Sequence, residues 1–401
     1  MKNIHTIRSI TIMELQTKGL PQKVVLKELE SKLRNDFTFE SGRIISSMCT
    51  KPHLLAKKVY SYYLEKNLGD SGLCPAVAEL ERETVKMLGG LFSNPEVSGH
   101  IVTGGTEANI LALWAAKKLS KKEHGEVIVP ASAHCSLDKA ADLLGLKILK
   151  VPLNSNYQVD IDAVEKTLNL NTIAIVGIAG TTGLGVVDPI KELSEIALDH
   201  GVYFHVDAAF GGFVLPFLRK LSYNVPDFDF ALPGVCSITV DPHKMGLAPI
   251  PAGGILFRSE QIRKAILWKI SYLAGGEAEQ ATLVGTRSGA SVIAVWALLK
   301  HLGIEGYKKI VQRCMRLTWK LVKEIKSISG LNIVTRPTMN VIGLESKVFD
   351  IKKIAYELRL RGWAISLFPN HIRIVIMPHI RMKHIKKFIQ DLKQSVEKLG
   401  G

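Results

Sequence analysis

Short apolar, β-branched runs recur through the middle of the chain, each ending in a polar or glycine-containing turn. They fall at about residues 127–130, 147–151, 173–177, 202–206, 237–240 and 254–257. The segments between them carry apolar positions at helical spacing, and this alternation predicts a mostly parallel sheet covered by helices. The last quarter reads as helix Tyr307 to Ser327, strands Asn332 to Thr335 and Val341 to Glu345, helix Asp350 to Arg361, strand Ile372 to Met377, and a final helix from Met382. Near the start, Val24, Val25, Leu26, Leu29 and Leu33 form an apolar stripe in a helical segment expected over about 13–50. The expected organisation is an N-terminal extension and helical segment (1–50), a large α/β domain (51–290) and a smaller α/β domain (291–401).

Composition narrows the class. A chain of 401 residues with 47% hydrophobic content can bury a large core. Its five cysteines, Cys49, Cys74, Cys135, Cys236 and Cys314, are scattered and include no Cys-x-x-Cys. That usage points to reduced thiols in a cytoplasm and away from a structural metal site. No apolar run approaches the roughly 18–20 residues a membrane span needs, and the N-terminus lacks a signal-peptide core. The formal charge is +15, concentrated at the end: residues 301–401 hold 20 Lys and Arg against 7 Asp and Glu. These lysines fall mostly on the polar sides of helices, the usual pattern of a solvated face. No aromatic-rich single-strand platform or DNA-reading motif accompanies them, so no nucleic-acid partner is expected. General attraction of anionic small molecules is consistent with the charge.

The candidate chemistry sits at strand ends. In Cys236-Ser-Ile-Thr-Val-Asp-Pro-His-Lys-Met-Gly246, the strand is broken by Asp241-Pro242, delivering His243 and Lys244 where open α/β sheets bind ligands. A partly desolvated amine there can form a Schiff base with an aldehyde cofactor. Thirty-seven residues upstream, Tyr203-Phe-His-Val206 finishes in Asp207, followed by Ala208-Ala-Phe-Gly-Gly212. Pyridoxal phosphate needs both parts: a lysine for its aldehyde and a carboxylate that keeps the ring nitrogen protonated. Thr103-Gly-Gly-Thr-Glu-Ala-Asn109 opens an apolar helical run, offering backbone N–H groups and a hydroxyl to an anion. An ordinary helix cap, with Glu107 as capping-box partner, fits the same residues. His134, in Ala133-His-Cys-Ser136, follows a strand and can stack on a cofactor ring.

The ordered motifs Gly-Gly-Thr-Glu-Ala, Ala-His-x-Ser, Gly-Thr-Thr, His-Val-Asp-Ala-Ala-Phe-Gly-Gly and Asp-Pro-His-Lys closely resemble the group II pyridoxal-phosphate-dependent amino-acid decarboxylases. Within that group the chain looks most like the archaeal L-tyrosine/L-aspartate decarboxylases, from about Met13 to the C-terminus. The resemblance implies a type I, aspartate-aminotransferase-like fold and a homodimer with active sites between subunits. It implies that Lys244 carries the cofactor, Asp207 pairs with the pyridinium nitrogen, His134 stacks over the ring and Ala209 packs on its other face. Gly105, Thr106 and His243 would hold the phosphate. Thr181, of the Gly-Thr-Thr turn, would touch ring substituents, although a plain strand-to-helix turn fits it equally well. Thr286, in Ala281-Thr-Leu-Val-Gly-Thr-Arg-Ser-Gly289, would reach a partner's phosphate, and Arg373, alone among apolar neighbours, would bind a substrate carboxylate.

The final proton donor is open among Tyr272, Lys244 and His134; larger relatives carry their tyrosine later, in a loop shortened here. Ser71, Cys74 and Ala76-Val77 depart from the archaeal pattern beside the substrate. Tyrosine to tyramine is expected as the principal activity, a route toward methanofuran. Aspartate to β-alanine, toward coenzyme A, is expected to be secondary. A glutamate decarboxylase or a sphingosine-phosphate-lyase-like enzyme is the alternative within the fold. A cysteine desulfurase would need a mobile-loop cysteine, and a non-catalytic binding protein would have no use for the intact Lys244, Asp207 and His134 set. Residues 1–12 have no counterpart in the family and are expected to be dispensable.

Overall fold

The computed structural model describes residues 15 and 17–400. Residues 1–12, expected to be dispensable, lie outside the described residues. The chain divides after Thr38 into two compact units. In the first, α1 (Gln22–Leu33) carries the predicted stripe, and Val24, Val25, Leu26, Leu29 and Leu33 are all exposed. The helical segment expected to run to residue 50 stops at Leu33. Beyond it Ile44 bridges Ala364, and the Ile45 carbonyl accepts from Val375 N–H, so this stretch is extended and belongs with the C-terminal sheet.

Among the described residues of the second unit, a seven-stranded sheet is built from β1 (Ser98–Val102), β2 (Glu126–Pro130), β3 (Lys147–Val151), β4 (Thr172–Ile178), β5 (Tyr203–Asp207), β6 (Val235–Val240) and β7 (Gly253–Phe257). Its order is β1-β7-β6-β5-β4-β2-β3. β2 to β6 run parallel, while β7 is antiparallel to both neighbours. All six predicted strands are present within a residue or two at each end.

The helices preceding and crossing this sheet are α2 (Leu54–Tyr62), α3 (Pro75–Leu91), α4 (Gly105–Ser120), α5 (Ser136–Leu144), α6 (Ile161–Thr167), α7 (Ile190–Asp199), α8 (Leu215–Lys220) and α9 (Glu260–Lys264). Strand alternation divides the core. Val127 and Val129 pack with Leu111 of α4 and Leu137 of α5, whereas Ile128 joins Leu193 of α7 and Phe204 on the other face.

A two-stranded hairpin, β8 (Trp268–Leu273) with β9 (Gly276–Gln280), was not legible in the pattern. It is followed by α10 (Gly289–Lys326), which breaks at Gly303, where φ is 53°. The sheet of the last quarter, β10 (Leu331–Ile333), β11 (Val341–Ser346), β12 (Ser366–Leu367) and β13 (Ile372–Val375), is antiparallel in the order β10-β11-β13-β12. It packs with α11 (Ile351–Leu360) and α12 (Met382–Gly400) around Trp363 and Phe388. A boundary at 290/291 would fall inside α10, whose first half joins the large core and whose end joins the small one.

A buried ion pair ties three of these elements together. Arg287, just before α10, donates to both oxygens of Glu81 on α3, at 2.6 and 3.1 Å, and to the Ile101 carbonyl of β1 at 2.9 Å. Glu81 also accepts from Ile101 N–H and faces His100 Nδ1 at 3.2 Å. Burial alone would raise this carboxyl, but Arg287 and His100 hold it down at about 2, against an ordinary 4.5. Because the folded value lies below the unfolded one, this stabilisation is present above about pH 4.5 and is lost as pH falls through about 2. Glu81→Gln is expected to cost about 3–5 kcal/mol at pH 7, since it strands a buried guanidinium. In denaturant titrations the deficit should narrow as pH falls toward 2; a deficit independent of pH would contradict the pairing.

Candidate active site

The carboxyl ends of β4, β5 and β6 and the N-termini of α4 and α5 surround a cavity of about 400 Å³. The family resemblance implies one site for Lys244, Asp207, His134, Gly105, Thr106, Ala209 and His243, and all seven line this cavity. Asp241-Pro242 ends the strand after Val240, so the turn that follows points Lys244 back over the sheet end. Lys244 Nζ lies 2.9 Å from Asp241 Oδ2. Burial would lower this amine, but the Asp241 carboxylate, helped by Asp207 and Cys49, raises it above the ordinary lysine value. Burial pushes the nearby Cys49 thiol up.

Asp207 is buried at the end of β5, where one oxygen accepts from Ala209 N–H at 3.0 Å and the other from Asn109 Nδ2 at 3.0 Å. His134 stands exposed before α5; its Nδ1 accepts from the Ser136 backbone N–H at 3.2 Å and meets Ser136 Oγ at 3.0 Å. Glu107 accepts from both Thr103 N–H and Thr103 Oγ1 at 2.8 Å, one residue ahead of the Gly104 cap, which has no side-chain hydrogen bond, so the first turn of α4 is left open toward the cavity.

Not every expected residue converges. Thr181 is buried and its hydroxyl accepts from Val186 N–H, closing its own turn; the next residue, Thr182, lines the cavity. Arg373 stands behind that wall, donating to the Thr182 carbonyl at 3.0 Å and the Ser46 carbonyl at 2.8 Å, while its buried Nε has no partner among the described residues. Tyr272 is 84% exposed on β8, and Thr286 is exposed beside Gly69; neither lines the cavity of its own chain. The divergent segment at Ser71 packs against the hairpin turn, where Asp70 Oδ2 accepts from Ala274 N–H at 3.2 Å. Asn109, Met48 and Phe210 line the cavity and were missed. Asn109 carried a signal: a lone amide inside the apolar run Ala108 to Ala112.

The cavity suits a flat, phosphorylated aldehyde. A side-chain carbon at position 105 would come within 2.9 Å of Asp241 Oδ2 and 3.3 Å of the Ala209 methyl, and one at 104 within 3.1 Å of the His243 ring. The backbone at the head of α4 is therefore bare by necessity, as close approach of a phosphate requires. Asp241 Oδ1 is buried without a hydrogen-bond partner among the described residues. An amine at one wall, a buried carboxylate at another and a bare helix start between them meet the requirements of pyridoxal phosphate. The class defined by this fold and cavity is the type I pyridoxal-phosphate enzyme.

Comparison with known proteins narrows the class. Residues 38–347 match the pyridoxal-dependent decarboxylase conserved domain, and the chain belongs to that family. It is 53% identical to the L-aspartate/L-glutamate decarboxylase of Pyrococcus horikoshii over 94% of this chain and 98% of the relative. It is 48% identical to a probable L-tyrosine/L-aspartate decarboxylase of Methanothermobacter thermautotrophicus, covering 89% of this chain and 98% of that one. Among solved structures, a sphingosine-1-phosphate lyase of Burkholderia pseudomallei superposes with a TM-score of 0.90 at 30% identity, over 97% of this chain and 93% of the lyase. The protein is a pyridoxal-phosphate-dependent carboxy-lyase.

Proposed function

We propose that this enzyme converts L-aspartate to β-alanine and CO₂, with L-tyrosine and L-glutamate as poorer substrates. The observation that carries the reading is that Lys244, Asp207 and the open start of α4 line one cavity. The substrate assignment reverses the order expected from sequence, because aspartate is the one amino acid common to the names of both relatives. The net charge of +15 favours a dicarboxylate as well.

In this reading Gly105, Thr106 and His243 hold the cofactor's phosphate, Lys244 holds its aldehyde and Asp207 its ring nitrogen, with His134 and Ala209 against the two ring faces. Bound there, pyridoxal phosphate supplies an electron sink for the pair left behind by departing CO₂. Lys244 must give up a proton to become a nucleophile, and Asp241, 2.9 Å away, holds the amine in place at the cavity wall. Asp207 carries the negative charge that keeps the sink protonated. Arg373, donating to the Thr182 and Ser46 carbonyls, supports the wall that faces the substrate, and Thr182 rather than Thr181 touches ring substituents. His134 accepts at Nδ1 from the Ser136 N–H, so a neutral imidazole bears its proton on Nε2, ready to donate.

The assembly we propose is a homodimer in the cytoplasm. Exposed Trp268 and Tyr272 on the hairpin, and Leu283 and Val284 after it, support a covered face. Thr286, and Tyr272 as a competing proton donor, would act on the partner's cavity from that face. The free cysteines suit a reducing compartment.

Asp207→Asn is expected to keep the cofactor bound and slow decarboxylation by at least about two orders of magnitude, a few kcal/mol of barrier. Near-normal turnover would mean that another group partners the ring nitrogen. For the substrate, kcat/KM measured side by side should favour aspartate over tyrosine and glutamate by about tenfold or more. A preference for tyrosine would restore the order expected from sequence.

A further inference from the structure

On the cavity wall beside Asp207 stands a buried amide, Asn109, that the mechanism above does not use. Asn109 is 1% exposed, on the second turn of the helix whose head forms the phosphate cradle. Its amide is fully engaged. Nδ2 donates to Asp207 Oδ2 at 3.0 Å and to Ser136 Oγ at 2.9 Å. Oδ1 accepts from Thr239 Oγ1 at 2.7 Å and lies 3.1 Å from His205 Nε2. Only the amide nitrogen can face a carboxylate, so the orientation of Asn109 is determined by Asp207.

That orientation propagates. His205 must donate from Nε2 to Asn109 Oδ1, and its Nδ1 then accepts from Ser237 Oγ at 2.7 Å. Burial pushes His205 down to about 4, so the ring is neutral near pH 7 and can play both parts. In the other direction, Ser136 Oγ accepts from Asn109 and gives its own proton to His134 Nδ1. One amide thus ties the carboxylate beneath the ring nitrogen to the imidazole on the ring face.

We propose that Asn109 is a positioning residue that holds Asp207 and His134 in register and sets how strongly Asp207 protonates the cofactor's ring nitrogen. This rests on the cofactor placement proposed above. Among the described residues Asp207 accepts hydrogen bonds only from neutral donors, Asn109 and the Ala209 N–H, so its full negative charge faces the cavity. The ionisable groups around it are His205 on the same strand, Lys244 from the turn after β6 and, through Ser136, His134.

The test is Asn109→Asp, nearly the same shape, beside Asn109→Ala. In Asn109→Asp two carboxylates would meet at Asp207 Oδ2 and share a proton, halving the charge offered to the ring. The pH midpoint of the bound cofactor's absorbance, with a band at about 420 nm in the parent enzyme, should move by about one unit or more. Cofactor affinity should fall by about tenfold, and kcat by about tenfold to a hundredfold, with KM within about twofold. Asn109→Ala should weaken cofactor binding with a smaller spectral shift. If both variants merely melt earlier, with midpoint and cofactor affinity unchanged, Asn109 is structural and the proposal is wrong. Because the parent enzyme must show the band, its absence there would overturn the cofactor placement instead.

Discussion

The structure depends on a buried carboxylate to which no cation is bonded among the described residues. Asp207 ends a strand inside the sheet and accepts two hydrogen bonds, both from neutral N–H groups. Burying a charge this way is costly unless something across the cavity answers it. The facing charge in the protein alone is the Lys244 amine, itself held by Asp241. In the reading proposed above, a cationic ring would meet the same need, with the lysine left to hold its aldehyde. The cavity therefore stores its preference for the cofactor in the arrangement of its charges before anything binds.

Topology makes the arrangement possible. Parallel β4, β5 and β6 bring their ends to one edge, and the reversed β7 lets the head of α4 approach closely: a side-chain carbon at Gly253 would sit 2.4 Å from Gly104 Cα. The Glu81–Arg287 pair fastens the same end of the sheet to α3 and to the approach of α10. Stability and chemistry thus share a framework but not the same residues, since Glu81 and Arg287 stand outside the catalytic cavity.

Much of this was legible in the sequence because strand ends followed by Gly, Asp or Pro are local signals. Lys244, Asp207 and the Gly104–Thr106 turn each announced themselves within a few residues. What escaped was non-local. Glu81 and Arg287 are 206 residues apart, and nothing in either segment names its partner. Thr181 and Thr182 differ only in which way a turn points them, which residue order does not decide. The β8–β9 hairpin has neither a β-branched run nor a two-residue turn of the usual Asn-Gly kind, so residue order does not announce that Tyr272 lies on an exposed strand. Asn109 was visible as an oddity in an apolar helix, but its four partners come from α5, β5 and β6.

The central claim is that one lysine, placed at the end of β6, holds the cofactor opposite Asp207. Borohydride reduction of the loaded enzyme, followed by proteolysis and mass mapping, tests it without reference to substrate. The account predicts a single reduced pyridoxyl label, on Lys244, and loss of that label in Lys244→Ala with the fold retained. A label on any other lysine would contradict it.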